Sequence, residues 1–222
     1  MKKTNKEKFN ELSRRQKVDY IWEYYKIHIS AGIIAIIIIG SLLNTLVLNP
    51  PPKAAVSVNF MGKHLNSNNT QDIEDKLNSI IITKEMGNKK VFINLFNVMS
   101  GKNMDPQLDM ATNTKFAANV SAKELDVLII EKDKFLQLVS LGTMLPLDEI
   151  LSVEELDKLG EKIIEGKGEN DTKNIKYGID VTNNEKVKSI MVGNDKKVMC
   201  VVSNSQRLEE SLKVIKWFLD IK

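Results

Sequence analysis

The sequence predicts an α/β protein in which one transmembrane helix is followed by a single, mostly parallel sheet with helices on both faces. The first observation is an uncharged stretch, residues 29–48, in which twelve side chains are Ile, Leu or Val. A helix of this length spans about 30 Å, the thickness of the hydrocarbon core of a bilayer. The second is that residues 54–222 alternate apolar, strand-like runs with amphipathic helical segments. This order favours right-handed crossovers and parallel strand pairing.

The apolar stretch and its flanks predict a membrane span over residues 27–48 with the N-terminus in the cytoplasm. Residues 1–26 form a basic and aromatic flank that contains eight Lys or Arg against four Asp or Glu. Positive charge beside a span stays on the cytoplasmic side. We therefore expect a single-pass protein of the cell membrane, anchored in the lipid bilayer by this helix, whose C-terminal domain lies outside the cytoplasm. A cleaved signal peptide is the alternative, although its apolar region is usually only about 7–15 residues long.

A short proline-rich segment, residues 49–53, predicts a stalk between the span and the domain of residues 54–222. Residues 49–222 carry 24 Lys or Arg and 25 Asp or Glu, so their formal charge is −1. This near-neutral balance gives no basis for nucleic-acid binding. The single cysteine, Cys200, excludes an internal disulfide, and its apolar neighbours predict a buried strand thiol.

The first half of the domain reads as strand, helix, strand, helix, strand. Apolar residues at helical spacing predict helices over 68–84 and 105–120, the second opened by an Asp-Pro pair. Strands are predicted over 54–61, 90–98 and 125–130. The last of these is almost continuously apolar, which is typical of a central strand covered on both faces.

The second half continues with further helices and two strands. Ser152 and Glu155 have the spacing of a capping box and predict a helix that runs to about residue 164. The remaining elements are predicted as a helix over 132–141, a loop over 144–151, a polar loop over 166–174, strands over 176–181 and 196–203, and a helix over 206–221.

The sequence carries no motif for catalysis or for binding a cofactor or a metal ion. Outside the membrane region His64 is the only histidine, so neither a nucleophilic triad nor a His/Cys zinc site can be assembled with Cys200 alone. Phosphate-loop and dinucleotide-binding glycine patterns are absent. Residues 180–186 lack the alternating acidic residues of a calcium loop. We therefore expect a protein that is not an enzyme and that needs no cofactor or metal.

Two segments carry a resemblance to a known family. Residues 126–151 combine a strand ending in an acidic residue, a short helix and the sequence Gly-Thr-Met-Leu-Pro-Leu-Asp, and residues 198–219 combine a strand, Asn-Ser and a helix. This passage resembles the extracellular solute-binding proteins of ABC importers, of the type II periplasmic-binding-protein kind. About 170 residues leave room for only one lobe, so the chain also resembles single-pass membrane proteins of Firmicutes that carry such a lobe, with an ABC permease or another envelope protein as the implied partner.

Candidate ligand-binding residues follow from the predicted sheet. Ligands of open α/β sheets bind beyond the carboxyl ends of the strands. The polar side chains at those ends are Asn97 and Ser100 after the second strand, Glu131 after the third and Asp180 after the fourth. We expect a non-catalytic, membrane-anchored extracytoplasmic binding module. The alternative is an interaction subunit of a transporter or envelope complex that has no small-molecule ligand.

Overall fold

The computed structural model describes residues 13–98, 106–169 and 171–221, and the chain divides between Pro51 and Pro52 into two compact units. The first contains helix α1, Arg14–Leu43, and a π-helical turn, Asn44–Leu48. Ser13 caps α1 because its hydroxyl accepts a bond from Gln16 N while its own N–H donates to the Gln16 side chain. The stretch Tyr25–Leu48 is long and apolar enough to cross a membrane, as the sequence predicts.

The second unit is a six-stranded sheet with helices on both faces. Its strands are β1 Lys53–Gly62, β2 Lys89–Asn97, β3 Val127–Glu131, β4 Ile163–Gly166, β5 Ile175–Asp180 and β6 Lys197–Val201. Its α-helices are α2 Thr70–Ile81, α3 Pro106–Ser121, α4 Lys132–Ser140, α5 Val153–Leu159, α6 Glu185–Lys188 and α7 Leu208–Leu219. Short 3₁₀ turns occupy Lys84–Met86, Leu147–Glu149 and Gly160–Lys162.

The sheet is mixed, which corrects the expectation of a mostly parallel one. In the order β2-β1-β3-β6-β5-β4, strand β1 pairs in parallel with β2 and β3, whereas β6 runs antiparallel to β3 and β5, and β4 runs antiparallel to β5. A parallel crossover needs a connection that returns along the strand. The four-residue α6 rises only about 6 Å, and the described residues between β4 and β5, 167–169 and 171–174, contain no helix. The connections from β4 to β5 and from β5 to β6 are therefore too short for a crossover, and each leads to an antiparallel neighbour.

Apolar side chains fill the space on each side of the sheet. On one side Phe60 of β1 packs edge to face against Phe218 of α7, in one cluster with the buried residues of α2. On the other side Phe96 packs against Phe116 of α3, in one cluster with Phe135 of α4 and the central strands. Cys200 lies fully buried in this second cluster, which confirms the predicted strand thiol.

Most predicted elements occur within a few residues of their expected ends, and the capping box at Ser152 is formed. Helix α5 nevertheless ends at Leu159, although the sequence predicts that it runs to about residue 164. The chain instead enters strand β4 at Ile163, and this strand was not predicted. Gly160 has a φ of 48°, a backbone conformation in which a residue with a side chain is strained. Glycine has no Cβ, so it adopts this conformation freely and allows the helix to end here. Leu208, an apolar residue of the helix predicted over 206–221, is exposed at the start of α7.

Candidate functional site at the carboxyl ends of the strands

The chain order places a topological switch point between β1 and β3. After β1, helix α2 leads the chain to β2, which lies on one side of β1. Helix α3 then leads the chain from β2 back across β1 to β3, which lies on its other side. Crevices at such points are where open α/β sheets bind ligands. Gly62 and Glu131 end these two strands, and Gly62 is paired with Asn97 of β2. Two of the predicted residues, Glu131 and Asn97, therefore stand on either side of β1.

Glu131 is held by Lys63, the first residue after β1. The Glu131 Oε1 accepts a hydrogen bond from Lys63 N at 3.2 Å, and its Oε2 lies 3.2 Å from Lys63 Nζ. Asp195 Oδ2 lies 3.9 Å from the same ammonium group. The hydrogen bond to Glu131, followed by the charges of Glu131 and Asp195, raises the pKa of Lys63. The ammonium group therefore stays charged at this edge of the sheet.

Two shallow clefts flank the Lys63–Glu131 pair. Each has a volume of about 190 Å³, and both are lined by Lys63, Glu131 and Asp133. Sites that enclose a drug-sized ligand usually measure roughly 300–1,000 Å³. Each cleft can therefore hold a small charged group, and a larger ligand extends beyond it.

The first turn of α4 adds an electropositive group to this edge. Glu131 is the N-cap residue of α4, and no side chain of the described residues caps the helix. Lys132 N donates to Lys196 O at 2.9 Å, while Asp133 and Lys134 line the cleft. Free N–H groups and the helix dipole attract anions at an N-terminus. Together with the carboxylates of Glu131 and Asp133, this edge offers partners to both signs of charge.

The other predicted residues do not join this cluster. Asp180 ends β5, beyond the intervening strand β6, and its Oδ1 accepts a hydrogen bond from Thr182 N at 2.9 Å. It lines a separate cavity of about 530 Å³ in which Lys186 already pairs with Asp220. Asn97 is exposed two strand spacings, or about 10 Å, from Glu131. The remaining candidate, residue Ser100, lies outside the described residues.

Lys63 and Asp195 were missed by the sequence reasoning. A signal for Lys63 exists, because it follows the predicted first strand as Glu131 follows the third. Asp195 precedes β6 in the chain, and it reaches this edge only because β6 is antiparallel to β3. Within the described ranges no three His, Cys, Asp or Glu side chains are placed to hold a metal ion.

No protein-family model, curated protein or solved structure matches the chain. The interpretation of the site therefore depends on its geometry.

Proposed function

We propose that the chain is a single-pass, membrane-anchored binding module whose second unit, residues 52–222, holds a small charged solute outside the cytoplasm without catalysing a reaction. The observation that carries this proposal is the Lys63–Glu131 pair at the switch point. It combines the position at which open α/β sheets bind ligands with side chains of both charges. The ligand class that fits is a small solute with both an amino and a carboxylate group.

Such a solute can exchange with the existing contacts. Its carboxylate replaces Glu131 beside the Lys63 ammonium group and the free N–H groups of α4, and its amino group binds Glu131 and Asp195. The clefts of about 190 Å³ admit these head groups but leave the rest of the ligand uncovered. A second protein surface that covers it fits the resemblance to one lobe of a solute-binding protein.

A binding screen with full-length protein in lipid nanodiscs tests this function. The fully buried Cys200 reacts with a thiol reagent only when the fold opens, so a ligand slows its labelling. At about 100 times its Kd, a ligand stabilises the fold by about 2.7 kcal/mol, which corresponds to roughly 100-fold slower labelling. Amino acids, dicarboxylates, diamines and sugars are the compounds to screen.

A matched pair of variants locates the site. Glu131→Gln removes the carboxylate that pairs with Lys63, whereas Glu165→Gln removes an exposed carboxylate on β4. We expect the first to abolish the slowing and the second to preserve it. Failure of every compound class, or a response to a polar amino acid or a dicarboxylate that survives Glu131→Gln, refutes the proposed site.

The proposed anchor is supported by the span Tyr25–Leu48 and its basic flank. Its orientation is tested by labelling intact cells with a membrane-impermeant maleimide. Cysteine introduced by Lys158→Cys, an exposed site on α5, should react, and cysteine introduced by Asn5→Cys should react only after permeabilisation. The wild type, with its buried Cys200, is the unlabelled control. Loss of an N-terminal tag from the mature protein would instead identify a cleaved signal peptide.

An interaction subunit that docks on an ABC permease or another envelope protein is the second candidate. It is favoured by exposed apolar side chains on and after α4, Leu136 and Leu141, and by Val153, which is 74% exposed at the start of α5. Crosslinking from these positions to one membrane protein, with no response in the solute screen, would support it.

A further inference from the structure

The two faces of β1 differ in polarity at its centre. Val56, Val58 and Phe60 pack toward α2 and α7, as expected for a buried strand. On the opposite face, Ser57 and Asn59 are buried as well. Buried polar groups weaken a core unless they are hydrogen-bonded, and departures from the apolar pattern concentrate at functional sites.

A hydrogen-bonded row links these polar residues to the neighbouring strands. Asn94 Nδ2 of β2 donates to Asn59 Oδ1 at 2.8 Å. Asn59 Nδ2 in turn lies 3.0 Å from Val127 O and 3.1 Å from Ser57 Oγ. Asn59 is thereby satisfied, whereas Asn94 Oδ1 accepts no hydrogen bond from the described residues. The row thus ends in a free acceptor.

This acceptor lines a cavity of about 390 Å³ on the α3 side of the sheet, within the usual size range of a small-molecule site. The cavity lies near the beginning of β1, whereas Glu131 is the last residue of β3, at the opposite edge of the sheet. The residues that line it include Lys53, Phe92, Asn94, Asn119, Glu124 and Arg207.

Arg207 is held rigidly at this cavity. Its Nε donates to Asp126 Oδ2 at 2.8 Å, and its Nη2 donates to Lys123 O at 3.0 Å. Asp126 is fully buried and is itself fixed by Ser57 N at 2.8 Å and by Ser205 Oγ at 2.6 Å. The third guanidinium nitrogen, Nη1, makes no hydrogen bond with the described residues. A guanidinium group fixed in this way is well suited to bind a carboxylate.

The remaining groups define the rest of the ligand. Lys53 supplies a second cation, and the half-buried Phe92 supplies an aromatic wall. Glu124 disfavours an inorganic dianion such as sulfate and accepts a hydrogen bond from a donor group of the ligand. We propose that this cavity is a second binding site that takes an α-amino or α-hydroxy carboxylic acid with an apolar side chain. Its carboxylate binds Arg207 and Lys53, its donor binds Glu124 and its side chain packs on Phe92.

Binding of four probes to full-length protein in nanodiscs tests this site by isothermal titration calorimetry. L-Phenylalanine and phenyllactate carry the carboxylate, the donor and the apolar group, so both should bind. Benzylamine lacks the carboxylate and sulfate lacks the apolar group, so neither should bind. The proposal is overturned if neither acid binds, or if benzylamine or sulfate binds as tightly as the acids.

Variants separate this site from the one at the strand ends. Phenyllactate has no amino group, so it lacks one of the two groups that the strand-end site takes and reports on this cavity alone. Asn119→Trp fills the cavity and should abolish phenyllactate binding, and Lys53→Met should weaken it about fivefold or more. The native side chains at both positions make no hydrogen bond with the described residues, so the fold should persist. Lys158→Met, an exposed lysine on α5, is the control and should bind phenyllactate normally. Unchanged phenyllactate binding in Asn119→Trp, or its loss in Lys158→Met, refutes this location.

Discussion

Replacing Arg207 by methionine should destabilise the second unit more than any exposed charge substitution, because it leaves a buried carboxylate without a countercharge. The Asp126 side chain is fully buried, whereas that of Arg207 is 24% exposed. Removing one partner of a buried ion pair typically costs about 3–5 kcal/mol. Ser57 N and Ser205 Oγ still donate to Asp126 in the variant, so we expect the lower end, about 3 kcal/mol.

The single cysteine provides the assay. Burial raises the pKa of the Cys200 thiol and keeps it from reagents until the fold opens. When closing is fast relative to labelling, the rate follows the opening equilibrium. A loss of about 3 kcal/mol then accelerates labelling by roughly 150-fold, since about 1.4 kcal/mol corresponds to a factor of ten.

A matched control and a double variant complete the test. Lys213→Met breaks the exposed pair with Glu209 on α7 and should change the rate by less than about fivefold. Asp126→Asn combined with Arg207→Met removes both charges and should recover part of the loss. If Arg207→Met labels within fivefold of the wild type, the buried pair does not stabilise the fold as argued.

Three further substitutions have defined outcomes. Gly178→Ala places a Cβ 2.8 Å from Phe135 Cζ and should cost about 1–3 kcal/mol by overpacking, seen as faster Cys200 labelling; an unchanged rate would show that the core yields. Glu155→Gln should keep the capping box but lose the ion pair with Lys216 Nζ, which is 2.7 Å away. That lysine and Ser152 lower the pKa of Glu155, so the pair stabilises the fold above pH 4.5 and this stabilisation is lost as the pH falls. In urea unfolding, the variant should therefore be less stable than the wild type by under about 1 kcal/mol near neutral pH and equally stable in acid. Burial, with the hydrogen bond to Asp171, raises the pKa of Tyr177 from 10.0 to about 12. The contribution of Tyr177 to the free energy of unfolding is therefore complete below pH 10 and is lost as the pH rises through about 12. In urea unfolding, Tyr177→Phe should lose less stability at alkaline pH than the wild type, and the same dependence of stability on pH in both proteins would contradict this.

The sequence predicts those elements whose side chains repeat with a regular period. Residues 125–130 form an almost continuously apolar run, which predicts a central strand covered on both faces. The structure confirms this, because strand β3 occupies 127–131 and every apolar residue of the run is buried. Strand β4 has only four residues, two of them isoleucines, directly after a helix whose pattern extends into it. No periodicity can develop over so short a segment, so its direction and pairing appear only in the folded chain.

The candidate site divides in the same way. Glu131 could be predicted because it ends a strand that is parallel to its neighbour, and the ends of such strands share one edge. Asp195 and Arg207 could not be predicted in this way, because the position of each in the fold depends on β6 running antiparallel to β3. Arg207 and Asp126 are 81 positions apart in the chain. Only the pairing of β6 with β3 brings them together.

The Asp126–Arg207 pair couples the fold to the cavity. Asp126 lies directly before β3, and Arg207 lies just after β6, so their contact closes the antiparallel pair on which the topology depends. Well-packed apolar residues often stabilise such a position as well as a buried ion pair does. An apolar pair, however, leaves no guanidinium group at the cavity. Variants of Arg207 therefore change stability and ligand binding together, whereas Asn119 and Lys53 report on the ligand alone.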